Sequence, residues 1–216
     1  MESRTALLAG ATGLVGTELL KGLLADPGVA AVHTLGRRKP SIQHPKLTVY
    51  VVDFAALPPL PRADEVYLAL GTTIKAAGSQ AAFRAVDFDA NIAVAKAALA
   101  AGVRRAGLVS AMGADPNSSV FYNRVKGELE DVLAGLGFDG LVIARPSLLV
   151  GDREALGQSI RPLEHVGFLV GKVLSPLIPR NYAPIEAKKV ANILLSTVPF
   201  AKGKQVFFSG AMQRGV

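Results

Sequence analysis

Residues 8–16 read Leu8-Ala9-Gly10-Ala11-Thr12-Gly13-Leu14-Val15-Gly16, behind a short apolar run from Thr5 to Ala9 and ahead of a stretch with helical periodicity. Three glycines at three-residue spacing between a strand and a helix predict a tight turn with little side-chain bulk. In such a turn, backbone N–H groups can approach a pyrophosphate at the positive end of the following helix. The spacing is G-x-x-G-x-x-G rather than G-x-G-x-x-G, so its position behind a strand carries more weight than the glycines alone. Gly10, Ala11, Thr12, Gly13, Leu14, Val15 and Gly16 are the candidate pyrophosphate-binding residues.

Outward from this turn, Leu14, Val15, Leu19, Leu20, Leu23 and Leu24 recur at helical spacing until Asp26-Pro27-Gly28 stops the run. Apolar runs at Val29 to Leu35, Leu47 to Val52, Glu65 to Leu70, Arg104 to Val109 and Leu141 to Ala144 read as further strands. Helices are expected from Gln80 to Ala101 and from Tyr122 to Leu136. Parallel pairing requires such crossovers, and continuous rather than alternating apolar strands suit a sheet covered on both faces. The predicted fold is α/β, a doubly wound Rossmann sheet in the order 3-2-1-4-5-6. A small C-terminal helical region follows, with helices near Pro162 to Leu174 and Ile185 to Thr197 and a candidate last strand at Gln205 to Ser209. The 216 residues suit one such domain and are short for two, and no linker divides them.

With no cysteine, disulfides and thiolate metal sites are excluded, and His33, His44 and His165 show no ligand spacing. The residues before Gly10 lack a basic-then-apolar leader pattern, and no apolar run reaches membrane-spanning length, so the expectation is a cytoplasmic protein without a membrane partner. The net charge of +7 falls in short clusters such as Arg37-Arg38-Lys39, Arg104-Arg105 and Lys188-Lys189. Without interleaved aromatics or a reading motif, these clusters favour anionic small molecules over nucleic acid.

About 20 residues past the last glycine, NAD-binding chains usually carry an acid for the ribose hydroxyls. Here the second strand ends Thr34-Leu35-Gly36-Arg37-Arg38. No carboxylate repels a 2′-phosphate, and two guanidiniums can pair with one, so NADP(H) is expected over NAD(H). Asp53, past the third strand, is placed to accept from the adenine amino group or else to cap its own loop. Phe54 beside it joins the cofactor candidates.

Tyr122 and Lys126 form Y-x-x-x-K, and their i, i+4 spacing sets both on one helix face. An ammonium near a phenol stabilises the phenolate, as acid/base chemistry on a carbonyl or alcohol requires. With this pair, four segments carry a resemblance: Gly10 to Gly16, Val109-Ser110-Ala111-Met112-Gly113-Ala114-Asp115, Tyr122 to Glu128 and Arg145-Pro146-Ser147. Over nearly its whole length the chain resembles the short-chain dehydrogenase/reductase superfamily, in the atypical branch typified by the Tat-interacting protein and bacterial NAD(P)-binding relatives.

The resemblance implies that Tyr122 exchanges the proton and that Lys126 binds the nicotinamide ribose while tuning Tyr122. It also implies that Leu70, Gly71 and Thr72 lie along the cofactor and that Arg145, Pro146 and Ser147 border the nicotinamide. Extended members of the superfamily carry their serine about two residues beyond Ser110, where this chain has Met112. Ser110 is the choice for orienting the substrate oxygen, with Ser118 or Ser119 as alternatives.

The expected function is an NADP(H)-dependent oxidoreductase of a small carbonyl or alcohol. Substrate would enter over loops near Ile74 to Arg84 and Asp152 to His165. Lys75, Arg84 and Arg153 there suit an anionic substrate, solvated surface charge being the alternative. The apolar stretch from Val166 to Val170 reads first as helical packing, and otherwise as closing the pocket rather than touching a membrane. Competing readings are a sugar-nucleotide epimerase or reductase, which the short C-terminal region disfavours, and an NADP(H) sensor that signals to a protein partner. The alanine-rich helix from Gln80 is either a homodimer face or packed on the sheet.

Overall fold

A computed structural model describes residues 3–150 and 181–214. Among the described residues nine strands are formed: β1 (Arg4–Ala9), β2 (Val29–Gly36), β3 (Leu47–Val51), β4 (Glu65–Leu68), β5 (Arg105–Val109), β6 (Gly140–Arg145), β7 (Leu149–Val150), β8 (Ile185–Glu186) and β9 (Gly203–Phe208). Seven make one sheet in the order β3-β2-β1-β4-β5-β6-β9, parallel throughout. The first six places match the order expected from sequence, and β9 extends the sheet beyond β6. The short β7 and β8 pair with each other apart from it.

Side chains alternate across each strand, and both sides are covered. Ala6 and Leu8 of β1 face a core closed by helices α1 (Leu14–Ala25) and α6 (Ala187–Thr197). Leu7 and Ala9 face a second core closed by α4 (Ala90–Ala100) and α5 (Phe121–Gly135). The buried positions of α1 are those its leucine periodicity marks, and Asp26 ends it by accepting the Gly28 N–H at 2.8 Å.

Several sequence boundaries move. The helix expected from Gln80 to Ala101 is broken into α3 (Gln80–Arg84), a π-turn (Ala85–Asp89) and α4, after a single turn, α2 (Ile74–Ala77). Thr73 and Ser79 cap the first two, and Gly78 at φ +86° separates them. The helix expected from Ile185 starts at Ala187, because Ile185 and Glu186 are drawn into pairing with Leu149 and Val150. Ser209 opens helix α7 (Ser209–Arg214) rather than closing a strand. The expected helix from Pro162 to Leu174, the apolar stretch Val166 to Val170 and the Asp152 to His165 loop with Arg153 lie outside the described residues.

The strand order reverses between β1 and β4, so the chain leaves these neighbours in opposite directions and opens a crevice at their carboxyl ends. That is where open α/β sheets hold ligands.

Candidate functional site

Gly10 follows β1 into this crevice at φ +90°, and a Cβ there would stand 2.4 Å from the Ala69 carbonyl oxygen. A Cβ on Gly16 would stand 1.9 Å from the Gly10 oxygen. These two glycines let strand, helix and the chain after β4 pack backbone to backbone. Gly13 differs, since a Cβ there meets nothing closer than the Gly10 oxygen at 3.4 Å. Gly13 is the N-cap of α1 and supplies no side-chain cap, which leaves the first-turn N–H groups without a capping side chain. Thr17 stiffens the turn by donating its hydroxyl to the Ala11 carbonyl at 3.1 Å. The turn therefore keeps bare backbone at its mouth beyond what its own packing needs, which fits an anionic group.

Beside the turn is a cavity of about 210 Å³ lined by Ala11, Thr12, Thr17, Arg38, Lys39, Pro40, Ser41 and Ile42. Arg38 and Lys39, both exposed, bring its positive charge, and Arg37, equally exposed, does not line it. Lys39 and Ser41 are lining groups that the sequence reading passed over, although Lys39 stands in the basic triplet. Asp53 is exposed and accepts the Ala55 N–H at 3.0 Å, capping its own loop, and Phe54 packs against the second core.

Leu70, Gly71 and Thr72 follow β4, with the Leu70 backbone packed against Gly10. The Thr72 N–H donates to Asp87 Oδ2 at 2.8 Å, and Asp87 Oδ1 lies 2.7 Å from the Lys126 ammonium. Asp87 comes from the π-turn and is fully buried, as nearly is Lys126. Asn91, also buried, donates to the Asp87 and Leu70 carbonyls at 3.0 and 3.3 Å, pinning α4 to this loop. Burial alone would push the Lys126 ammonium toward losing its proton, but the charges of Asp87, Tyr122 and Glu130 outweigh it and hold its pKa above the ordinary lysine value. Tyr122, half-buried in the first turn of α5, rests its ring 5.5 Å from that of buried Phe83. The structure thus brings Tyr122, Lys126, Gly71 and Thr72 together. The sequence signal for the missed Asp87 and Asn91 was an acid and an amide four apart in an otherwise alanine-rich helix.

Ser110 is engaged elsewhere. Its hydroxyl donates to Glu130 Oε1 at 2.5 Å, and Arg145 grips the same carboxylate through Nε at 3.0 Å and its terminal nitrogen at 2.6 Å. Glu130 is buried, two turns beyond Tyr122 on α5. The single hydroxyl proton of Ser110 goes to that carboxylate, and the Arg145 charge is balanced by it. Ser118 accepts the Val120 N–H at 3.1 Å, and Ser119 is exposed. Pro146 accepts the Met112 N–H at 2.8 Å, and Ser147 donates to the Ala183 carbonyl at 2.5 Å, tying the returning chain to β6. Of the basic groups at the expected entrance, Arg84 is paired with Glu128 at 2.5 Å and Lys75 is exposed.

A parallel sheet with a bare glycine turn at its reversal, a basic cavity beside it and a lysine-tyrosine pair across it defines a nicotinamide-dinucleotide-binding Rossmann protein. The chain belongs to the family described as NAD(P)H-binding, whose model matches residues 10–157. The protein fmp52-1, mitochondrial, of Aspergillus terreus is 39% identical over 185 residues, 79% of this chain and 77% of its own length. FMP52, mitochondrial, of Candida albicans is 36% identical over 167 residues, 72% of this chain and 73% of its own. Among solved structures, an oxidoreductase of the short-chain dehydrogenase/reductase family from Burkholderia thailandensis superposes with a TM-score of 0.69 at 21% identity, covering 100% of this chain and 94% of that one. A UDP-N-acetylglucosamine 4-epimerase from Methanobrevibacter ruminantium follows at 0.68 and 15% identity, covering 96% and 77%. At these identities the structural likeness is one of fold.

The fungal relatives are named as mitochondrial proteins, which corrects the expectation of a cytoplasmic location. That expectation leaned on the lack of a leader pattern and of apolar spans, and neither distinguishes one aqueous compartment from another.

Proposed function

We propose that this protein is an NADP(H)-dependent oxidoreductase acting on a small carbonyl or alcohol, with Tyr122 exchanging the proton. The observation that carries this reading is the pairing of Tyr122 with a buried, charged Lys126 directly across from the loop at Gly71 and Thr72. The bound nicotinamide supplies or accepts the hydride. Gly10 to Gly16 hold the pyrophosphate on the open first turn of α1. Arg38 and Lys39, with Thr12 and Ser41 in the same cavity, receive the adenosine-side phosphate. Lys126 holds the ribose hydroxyls by its ammonium. Tyr122 delivers its proton to the substrate oxygen as the carbonyl carbon is reduced, and takes it back in the reverse direction.

Two measurements test the cofactor half of this reading. The double change Arg38→Ala with Lys39→Ala is expected to weaken NADPH by roughly 1–3 kcal/mol, the worth of charged hydrogen bonds, and NADH much less. Calorimetric titration at matched salt reads both, and equal losses would remove the two residues from phosphate recognition. Gly13→Ala should cost stability no more than about 1 kcal/mol, a cap-sized effect, because its own surroundings leave room for the methyl. It should nevertheless weaken either cofactor on the order of tenfold by holding the pyrophosphate off the turn. An unchanged affinity would place the pyrophosphate elsewhere.

One observation favours a second reading, an NADP(H) sensor with little turnover. The Ser110 proton is committed to Glu130, so a hydroxyl to orient the substrate oxygen must come from another residue. Screening carbonyl substrates with NADPH separates the two, since a sensor binds NADPH tightly and turns over none.

A further inference from the structure

Lys126 does its proposed work only as a placed cation, so this inference rests on the oxidoreductase reading and concerns what holds that cation. We propose that Asp87 is the positioning residue of the site, clamping the charged Lys126 ammonium against the Gly71–Thr72 loop from a π-turn. Both its carboxylate oxygens are used, one at 2.7 Å from the Lys126 ammonium and the other accepting the Thr72 N–H at 2.8 Å. One buried group thus ties the wall that runs along the cofactor to the helix that carries Tyr122.

The π-turn gives the clamp its reach. Between α3 and α4 the helix widens over Ala85–Asp89, and Asp87 is its one buried residue. Helices confined to packing alanines gain nothing from such a widening, and π-turns are frequent at functional sites. Nor is the pair there for stability, because a buried ion pair roughly breaks even against apolar residues of the same volume.

The charged and titratable groups facing Lys126 are Asp87 from the π-turn and Tyr122 and Glu130 from its own helix. The loop after β4 brings only Gly71 and Thr72, without charge. Glu130 is already taken by Arg145 and Ser110, and Arg84 by Glu128. Among the described residues, Asp87 is the carboxylate in contact with the ammonium.

The test is Asp87→Asn, which keeps the volume and an acceptor for Thr72 but removes the countercharge. A buried amine without a counterion sheds its proton more readily, so the Lys126 pKa should fall below the ordinary lysine range, far enough that the amine is largely neutral near pH 9. Carbon-13 NMR of labelled lysine reads this, with Lys126→Arg assigning the signal. Cofactor affinity and turnover should drop by about tenfold or more near pH 9 and recover toward the wild-type level near pH 6, where the amine is charged again. A purely architectural role would lower both equally at the two pH values. An unchanged Lys126 titration, or a loss independent of pH, would overturn the proposal.

Should the variant fail to fold, the wild-type signal decides. The proposal requires Lys126 to stay charged through the ordinary lysine range, and a titration below that range would overturn it. If the protein turns over no carbonyl at all, the oxidoreductase reading falls, while the NMR titration still decides the role of Asp87.

Discussion

Tyr122→Phe is expected to lower turnover by about two to four orders of magnitude, the usual worth of one positioned acid/base group, and to leave cofactor affinity within about twofold. The ring is held by its contact with buried Phe83, 5.5 Å between centroids, and phenylalanine keeps that contact. Only the hydroxyl is lost. The proton donor to the substrate oxygen then has no replacement in reach, because Lys126 is clamped by Asp87 at 2.7 Å and the Ser110 proton belongs to Glu130. The effect should fall on kcat rather than on KM, since the proton moves in the chemical step. Single-turnover assays with a carbonyl that the wild-type protein reduces, run beside calorimetry of NADPH, give both numbers. Equal turnover by the two proteins would remove Tyr122 from the chemistry. A parallel loss of cofactor affinity would make it a binding group.

The glycine turn, the strand order and the Tyr122–Lys126 pair were legible in the sequence because each is written in local spacing. Gly10 and Gly16 are glycines for steric reasons that hold within a few residues of the chain and at its first neighbour, Ala69. The strands of a doubly covered sheet are apolar runs wherever they stand. Asp87 was not legible in the same way, since nothing between Gln80 and Ala101 breaks a helix and no glycine or proline marks the π-turn. Its cause is a tertiary demand, the meeting of Asp87 with Lys126 on α5 and with the Thr72 N–H. The bond from Ser110 to Glu130 was hidden for a related reason, because Glu130 is twenty residues on and is itself fixed by Arg145 from the next strand. Arg37 and Arg38 looked equivalent as neighbours, and all three basic residues are exposed, yet the turn out of β2 sets Arg38 and Lys39 and not Arg37 in the lining of the cavity.

At the opposite, amino-terminal edge of the sheet, Arg4→Met is expected to destabilise the fold by roughly 3–5 kcal/mol at neutral to alkaline pH, the cost of stranding one partner of a buried ion pair. Arg4, at the start of β1, donates to Glu65 at the start of β4 at 3.1 Å and to Asp26 at the end of α1 at 2.5 Å. Glu65 is only 1% exposed, so its charge has no recourse to water once the guanidinium is gone. Asp26 is better placed, being partly exposed and still bonded to the Gly28 N–H at 2.8 Å.

Burial already raises the Glu65 pKa above the ordinary value, against the lowering pull of Arg4. A carboxyl raised in this way binds its proton more readily in the folded state. Its penalty is therefore absent at low pH and grows as pH climbs from the unfolded value through the folded one. Without Arg4 that window widens upward, so the gap in stability between variant and wild type should be small near pH 5 and larger near pH 8. Asp26 acts the other way. Burial would raise its pKa, but the Gly28 N–H and then Arg4 lower it on balance, so its stabilising share is lost only as pH falls below the ordinary carboxylate range. Urea unfolding of both proteins at the two pH values separates these effects. A gap independent of pH would mean that the Arg4 stem, rather than its charge, supports the sheet.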